Sequence, residues 1–98
     1  MEKFNQMSHP GIIVKREFME PYGVTAYRLS KDAKIDNMTA SEIIRGKRSI
    51  TIKTALKLAK YFGVSDSYFI NLQKEYDMRE VRKKIAKELD SIKTFQSA

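Results

Sequence analysis

Apolar residues along this chain recur at spacings of three and four and nowhere alternate in the period-two manner of a strand. An all-α domain is the expectation. Pro10 fits the first turn of a helix, where its missing N–H costs nothing, with Ser8 or His9 as the cap. The helical pattern continues to Met19, with Ile13, Val14 and Phe18 inward, until Pro21 and Gly23 stop it. Thr25 then caps a second helix, Ala26–Ala33, whose inner face is Leu29 and Ala33. Lys34-Ile35-Asp36 breaks it. Asp36 or Asn37 caps a third helix that runs to about Arg45 and turns Ala40, Ile43 and Ile44 inward, and Gly46 suits the left-handed residue that ends it.

The loop GKRSIT follows, and Thr51 caps a fourth helix reaching Phe62. Its apolar set reads Ile52, Ala55, Leu56, Ala59 and Phe62, with Lys53, Lys57 and Lys60 on the other side. Ser65 is the expected cap of a fifth helix carrying Tyr68, Phe69 and Leu72. Beyond Tyr76 and Asp77 a separate charged helix is expected to about Lys93. Its narrow stripe of Val81, Ile85, Leu89 and Ile92 can pack on a partner, extend a dimer or cover the domain itself, and the last is the commoner use of such a face. This gives an N-terminal tail at 1–7, a domain at 8–76 and a charged C-terminal helix and tail at 77–98.

The second and third helices are short and joined by a tight turn, at about residues 25–48. That is the helix-turn-helix unit, which lays its second helix in the major groove of DNA. Such a unit needs small and aliphatic residues to lock the pair, here Leu29, Ala33, Ile35, Ala40 and Ile43. It also needs polar groups on the outer face of the second helix, here Asn37, Met38, Thr39, Ser41 and Glu42. Asn pairs bidentately with adenine, and Met38 or the Thr39 methyl can touch a thymine methyl. Glu42 either accepts from cytosine or repels phosphate. The bland alternative is a cap at Asn37 and solvated side chains at Glu42 and Arg45.

Charge sharpens this picture. The chain has 98 residues and a formal charge of +7. Between residues 45 and 60 lie Arg45, Lys47, Arg48, Lys53, Lys57 and Lys60, with no Asp or Glu. A concentrated positive field suits a polyanion. Arg45, Lys47, Arg48 and Lys53 are the expected phosphate binders, with the hydroxyls of Thr51 and Thr54 near a helix N-terminus adding to the same anion.

Enzymatic chemistry has little to work with. His9 is the one histidine, there is no cysteine, and no Gly-rich phosphate loop or metal-ligand spacing occurs. No cofactor is expected. No apolar run approaches the roughly 18 residues of a membrane span, and MEKFNQMSHP lacks the order of a secretory leader. A cytoplasmic protein is the expectation.

The strings HPG at 9–11, EIIRGKRSIT at 42–51, TALKLAKYFG at 54–63 and YFINLQ at 68–73 strongly resemble HigA-type antitoxins of the XRE (lambda-repressor-like) superfamily, also known as VapI-like or plasmid maintenance system antidote proteins. The resemblance covers residues 8–82. It implies a five-helix domain with a C-terminal extension, a homodimer on a palindromic double-stranded DNA operator, and autorepression of a toxin–antitoxin operon. It further implies neutralisation of a HigB-type mRNA interferase. The alternative is a solitary prophage or virulence-associated regulator without a toxin. By resemblance, Asn37, Met38, Thr39, Ser41 and Glu42 are base readers. Arg45, Lys47 and Arg48 match the family's basic turn, and Thr25, Tyr27, Arg28 and Lys53 join the phosphate set. Tyr68, Phe69, Leu72 and Tyr76 fall in the dimer segment. Two positions depart from the family pattern. Ala26 stands where a phosphate-binding Gln is usual, leaving that task to Tyr27 or Arg28, and Lys34 stands where the turn usually has Gly.

Overall fold

The computed structural model describes residues 8–95, so the expected tail at 1–7 lies outside the described residues. These are helical with no strand among them: α1 (Pro10–Ile13), which passes into a π-helical stretch (Val14–Met19) and a 3-10 turn (Glu20–Tyr22), then α2 (Ala26–Ala33), α3 (Asn37–Ile44), α4 (Ile52–Phe62), α5 (Tyr68–Lys84) and α6 (Ala86–Ser91). The all-α expectation and the helix-turn-helix hold.

Local capping chemistry sets most boundaries. Thr25 Oγ1 accepts from the Arg28 amide at 3.1 Å, Asp36 Oδ2 from Thr39 at 3.2 Å and Thr51 Oγ1 from Thr54 at 3.3 Å, each satisfying an orphan amide of a first turn. His9 Nδ1 does the same for Gly11 at 2.9 Å. The C-terminus of α3 closes on a left-handed Gly46 (φ 75), with the Gly46 amide donating to Ile43 O and the Lys47 amide to Glu42 O, a Schellman arrangement.

The core gathers Val14, Leu29, Ile35, Ile43, Ile50, Leu58 and Phe69, among others, from the π-helical stretch, α2 to α5, the turn after α2 and the loop before α4. An aromatic cluster extends it, with Phe18 5.1 Å from Phe69 and 5.3 Å from Phe62 between ring centroids. Gly11 permits a close approach of backbone to backbone. A Cβ at that position would lie 1.7 Å from the Ile43 carbonyl oxygen, so α1 sits directly on the backbone of α3.

Four expectations are corrected. In α4 the buried face is Thr54, Ala55, Leu58 and Ala59, whereas Ile52 is 67% exposed and Leu56 is also exposed. Leu58, 1% exposed, was absent from the expected set. The fifth helix starts at Tyr68, because a turn intervenes in which the Tyr68 amide donates to Ser65 O, and Ser65 is not its cap. No break follows Tyr76. Nothing there stops a helix, and Asp77 is bound inside it by Gln73 Nε2, one turn earlier, at 2.9 Å. The break comes at Ile85 (φ −111, ψ 22). Val81, Leu89 and Ile92 are exposed, so the C-terminal stripe does not cover its own domain.

Lys34 takes the left-handed conformation (φ 58, ψ 45) where glycine would be at ease. The surrounding contacts hold it there. The Ile35 amide donates to Ser30 O at 3.1 Å, Ser30 Oγ donates to Ile35 O, Ile35 is buried, and Lys57 Nζ from α4 donates to the Lys34 carbonyl. Lys34→Gly keeps every backbone contact and removes the side-chain clash. It should stabilise the chain by about 0.5–1 kcal/mol, the strain of an L-residue at positive φ less the added freedom of Gly in the unfolded chain. Urea denaturation measures this, and an unchanged or lower midpoint would contradict the strain.

His9 supplies a pH dependence. Burial holds its imidazole below the ordinary value near 6.5, with the charge of Asp77 opposing weakly. Its ring lies 5.2 Å from that of Tyr76, and its cap requires an unprotonated Nδ1. A group whose folded pKa is depressed by burial binds protons more readily when unfolded, so its contribution is complete above about pH 6.5 and declines as pH falls below that value. The urea midpoint should therefore drop between pH 7 and 5, and drop less in His9→Asn, which caps without titrating in this range. Equal drops in both proteins would remove His9 as the cause.

Candidate nucleic-acid interface

The outward face of α3 begins with two exposed side chains, Asn37 and Met38, the latter 64% exposed. Asp36 rather than Asn37 is the cap, which leaves the Asn37 amide outside the capping hydrogen bonds of its own helix. Thr39, Ser41 and Glu42 are half-buried along the same helix. Thr39 and Glu42 are joined by a third residue. Arg48 Nε donates to Glu42 Oε1 at 2.8 Å, its Nη2 lies 2.8 Å from the same oxygen, and its Nη1 donates to Thr39 Oγ1 at 3.2 Å. Arg48, expected on the flank with Arg45 and Lys47, is drawn onto α3.

Arg45, Lys47 and Lys53 stand apart from carboxylates among the described residues. Arg45 Nε donates to the Ser41 carbonyl at 3.2 Å, a contact that leaves its charge uncompensated. Lys47 and Lys53 are exposed, and neither enters an ion pair among the described residues. Among the hydroxyls, Thr54 is buried and Thr51 is occupied as the α4 cap, so Thr54 offers nothing to an external anion.

At the start of α2, Thr25 and Tyr27 are exposed, and Lys31 Nζ stands 5.7 Å from the Tyr27 ring centroid. Arg28 pairs with Asp32 at 3.2 Å, and Asp32 also accepts from Tyr61 Oη at 2.9 Å. Tyr27 is thus the more available of the two residues expected to replace the usual Gln.

The expected dimer segment divides. Phe69 is fully enclosed by its own domain (0% exposed), so it faces no partner. Tyr68 is partly exposed, and Leu72 and Tyr76 are half-buried.

Gln73 was missed by sequence reasoning. It is 3% exposed, and its Oε1 accepts from the Ile50 amide at 2.8 Å, tying the basic loop to α5 across 23 residues of chain. A signal existed, since Gln73 lies one turn after Phe69 on the buried stripe. Asp36 was also missed in its second role, accepting from Thr39 Oγ1 at 3.4 Å and so orienting a recognition-helix side chain.

A family model described as helix-turn-helix matches residues 15–69. Antitoxin HigA-1 of Vibrio cholerae is 30% identical over 83 residues, 85% of this chain and 78% of the relative. The chain belongs to the helix-turn-helix family of the HigA antitoxins. This family is non-enzymatic. Virulence-associated protein I of Dichelobacter nodosus is 38% identical over 71 residues, 72% of this chain and 66% of the relative's length. Among solved structures, Pseudomonas aeruginosa antitoxin HigA with the higBA promoter superposes with a TM-score of 0.85 at 28% identity, covering 91% of this chain and 98% of that one. The HigA fold therefore extends along α5 beyond residues 15–69. No helix among the described residues is long and apolar enough to cross a membrane.

Proposed function

We propose that this chain is a cytoplasmic, sequence-specific DNA-binding antitoxin that represses its own HigBA-type operon and neutralises an mRNA-interferase toxin. The observation that carries this is the exposed N-terminal face of α3 beside a basic loop, in a fold shared nearly end to end with a HigA solved on promoter DNA. Asn37, Met38, Thr39, Ser41 and Glu42 face the bases. Thr25, Tyr27, Arg45, Lys47 and Lys53 fix the register on phosphates. The chain acts as a homodimer, with Tyr68, Leu72 and Tyr76 at the edge of the interface, and two α3 helices read half-sites about one helical turn apart. Residues 8–76 form the DNA-binding domain and 77–98 its extension.

A footprint on the chain's own upstream region at moderate salt tests autorepression, and absence of protection refutes it. Co-purification with the product of the adjacent reading frame tests toxin binding. Protection without a bound toxin would favour a solitary regulator, a reading consistent with the virulence-associated relative. Lys47→Ala should weaken binding evenly across sequences and reduce the salt slope by about 0.9 for one lost phosphate contact. An unchanged slope would place Lys47 away from the DNA.

A further inference from the structure

We infer that Arg48 is a base reader held in place by Glu42, and that the base it fits is guanine. The inference rests on the DNA-reading function proposed above. A guanidinium carries five N–H donors in a fixed plane. Glu42 Oε1 takes the Nε and Nη2 side of that plane, both at 2.8 Å, and Thr39 Oγ1 takes one Nη1 donor at 3.2 Å. Thr39 is itself fastened to Asp36, the α3 cap. Two donors remain, one on each Nη atom. Two donors on one rigid group are what the O6 and N7 acceptors of guanine require, and arginine to guanine is the commonest specific contact in the major groove.

Placement and charge favour this over a phosphate contact. Residues 39 and 42 lie one turn apart on α3, so their shared partner lies over the recognition helix and not beside it. Phosphate attraction depends on net charge, and the Glu42 carboxylate offsets that of Arg48. Directional hydrogen bonding depends on orientation, and a tether at two points removes the rotamer freedom that a long side chain would otherwise lose on binding. Arg45 shows the contrast. Its contact is to a backbone carbonyl, its charge is uncompensated, and it suits phosphate. Glu42 is thus a positioning residue, and neither of the roles first expected for it, accepting from cytosine or repelling phosphate, is needed.

The test starts from a random-sequence duplex library enriched by the wild-type homodimer. If no sequence is enriched, the DNA-reading function itself fails. If a site is enriched, Arg48→Ala should lose discrimination at one G·C pair by about 5- to 150-fold. Replacing that guanine by 7-deazaguanine, which lacks the N7 acceptor, should weaken wild-type binding but leave Arg48→Ala unaffected. Glu42→Gln should blunt the same guanine preference, and should change nothing further in the Arg48→Ala background. A uniform loss in Arg48→Ala with a reduced salt slope would make Arg48 a phosphate contact and overturn the inference. Uniformly tighter binding by Glu42→Gln would show that the carboxylate only repels the backbone, and would overturn its positioning role. Circular dichroism on each variant excludes unfolding as the cause.

Discussion

Gly11→Ala unfolds a large part of the population at physiological temperature. The added methyl would lie 1.7 Å from the Ile43 carbonyl oxygen and 2.6 Å from its carbon. These are backbone atoms in the last turn of the recognition helix, so no side-chain rotation relieves the clash. Relief requires α1 to move off α3, exposing Ile13, Val14 and Ile43, all buried. An added core methylene typically costs about 1–3 kcal/mol where neighbours can adjust. With rigid neighbours the loss should reach at least the top of that range, a fall in melting temperature on the order of 15–20 °C. The sign is diagnostic. In a free helix Ala is better than Gly by about 1 kcal/mol, so a more stable variant would show that α1 does not rest on α3. Thermal circular dichroism at fixed protein concentration reads the result. Operator affinity should fall alongside stability, because α1 supports the back of α3.

Phe69→Ala has the second large effect, and it separates core from interface. The ring lies 5.1 Å from Phe18, 5.0 Å from Tyr68 and 6.2 Å from Phe62, and is sealed from solvent within one chain. Truncating a buried phenylalanine costs about 3–5 kcal/mol, from lost transfer energy and the cavity left behind. The urea midpoint should fall steeply, while the protein that remains folded keeps the oligomeric state of the wild type by light scattering. A folded monomer of near-normal stability would instead place Phe69 at the dimer contact. A charge at Tyr68 should act oppositely, changing association more than folding.

Much of the fold was legible because its punctuation is local. A threonine or aspartate side chain reaches the amide three residues on without help from elsewhere, so Thr25, Asp36 and Thr51 mark helix starts in the sequence as they do in the structure. The same holds for Gly46, since the left-handed turn needs only the absence of a Cβ. The basic run at 45–60 and the outer face of α3 follow from spacing alone.

Other features needed neighbours. In α4 two apolar stripes overlap, one through Ile52 and Leu56, the other through Ala55, Leu58 and Ala59. Helical spacing allows either to face inward. The choice falls to α2 and α5, which pack on α4 from directions a linear sequence does not contain. The end of α5 followed the same logic, since the Gln73–Asp77 hydrogen bond holds residues that charge patterning had assigned to separate helices.

Sequence by itself determined the second, third and fourth helices, the caps at Thr25 and Thr51, the helix-turn-helix and the family, because those depend on contacts within a few residues or on motifs read as strings. Only the tertiary structure decided that Phe69 is core, that Gln73 anchors the basic loop, that Gly11 seats α1 on α3, and that Arg48 lies with Thr39 and Glu42. Each of these turns on where a side chain meets an atom from another element, and that distance exists only once the helices are packed.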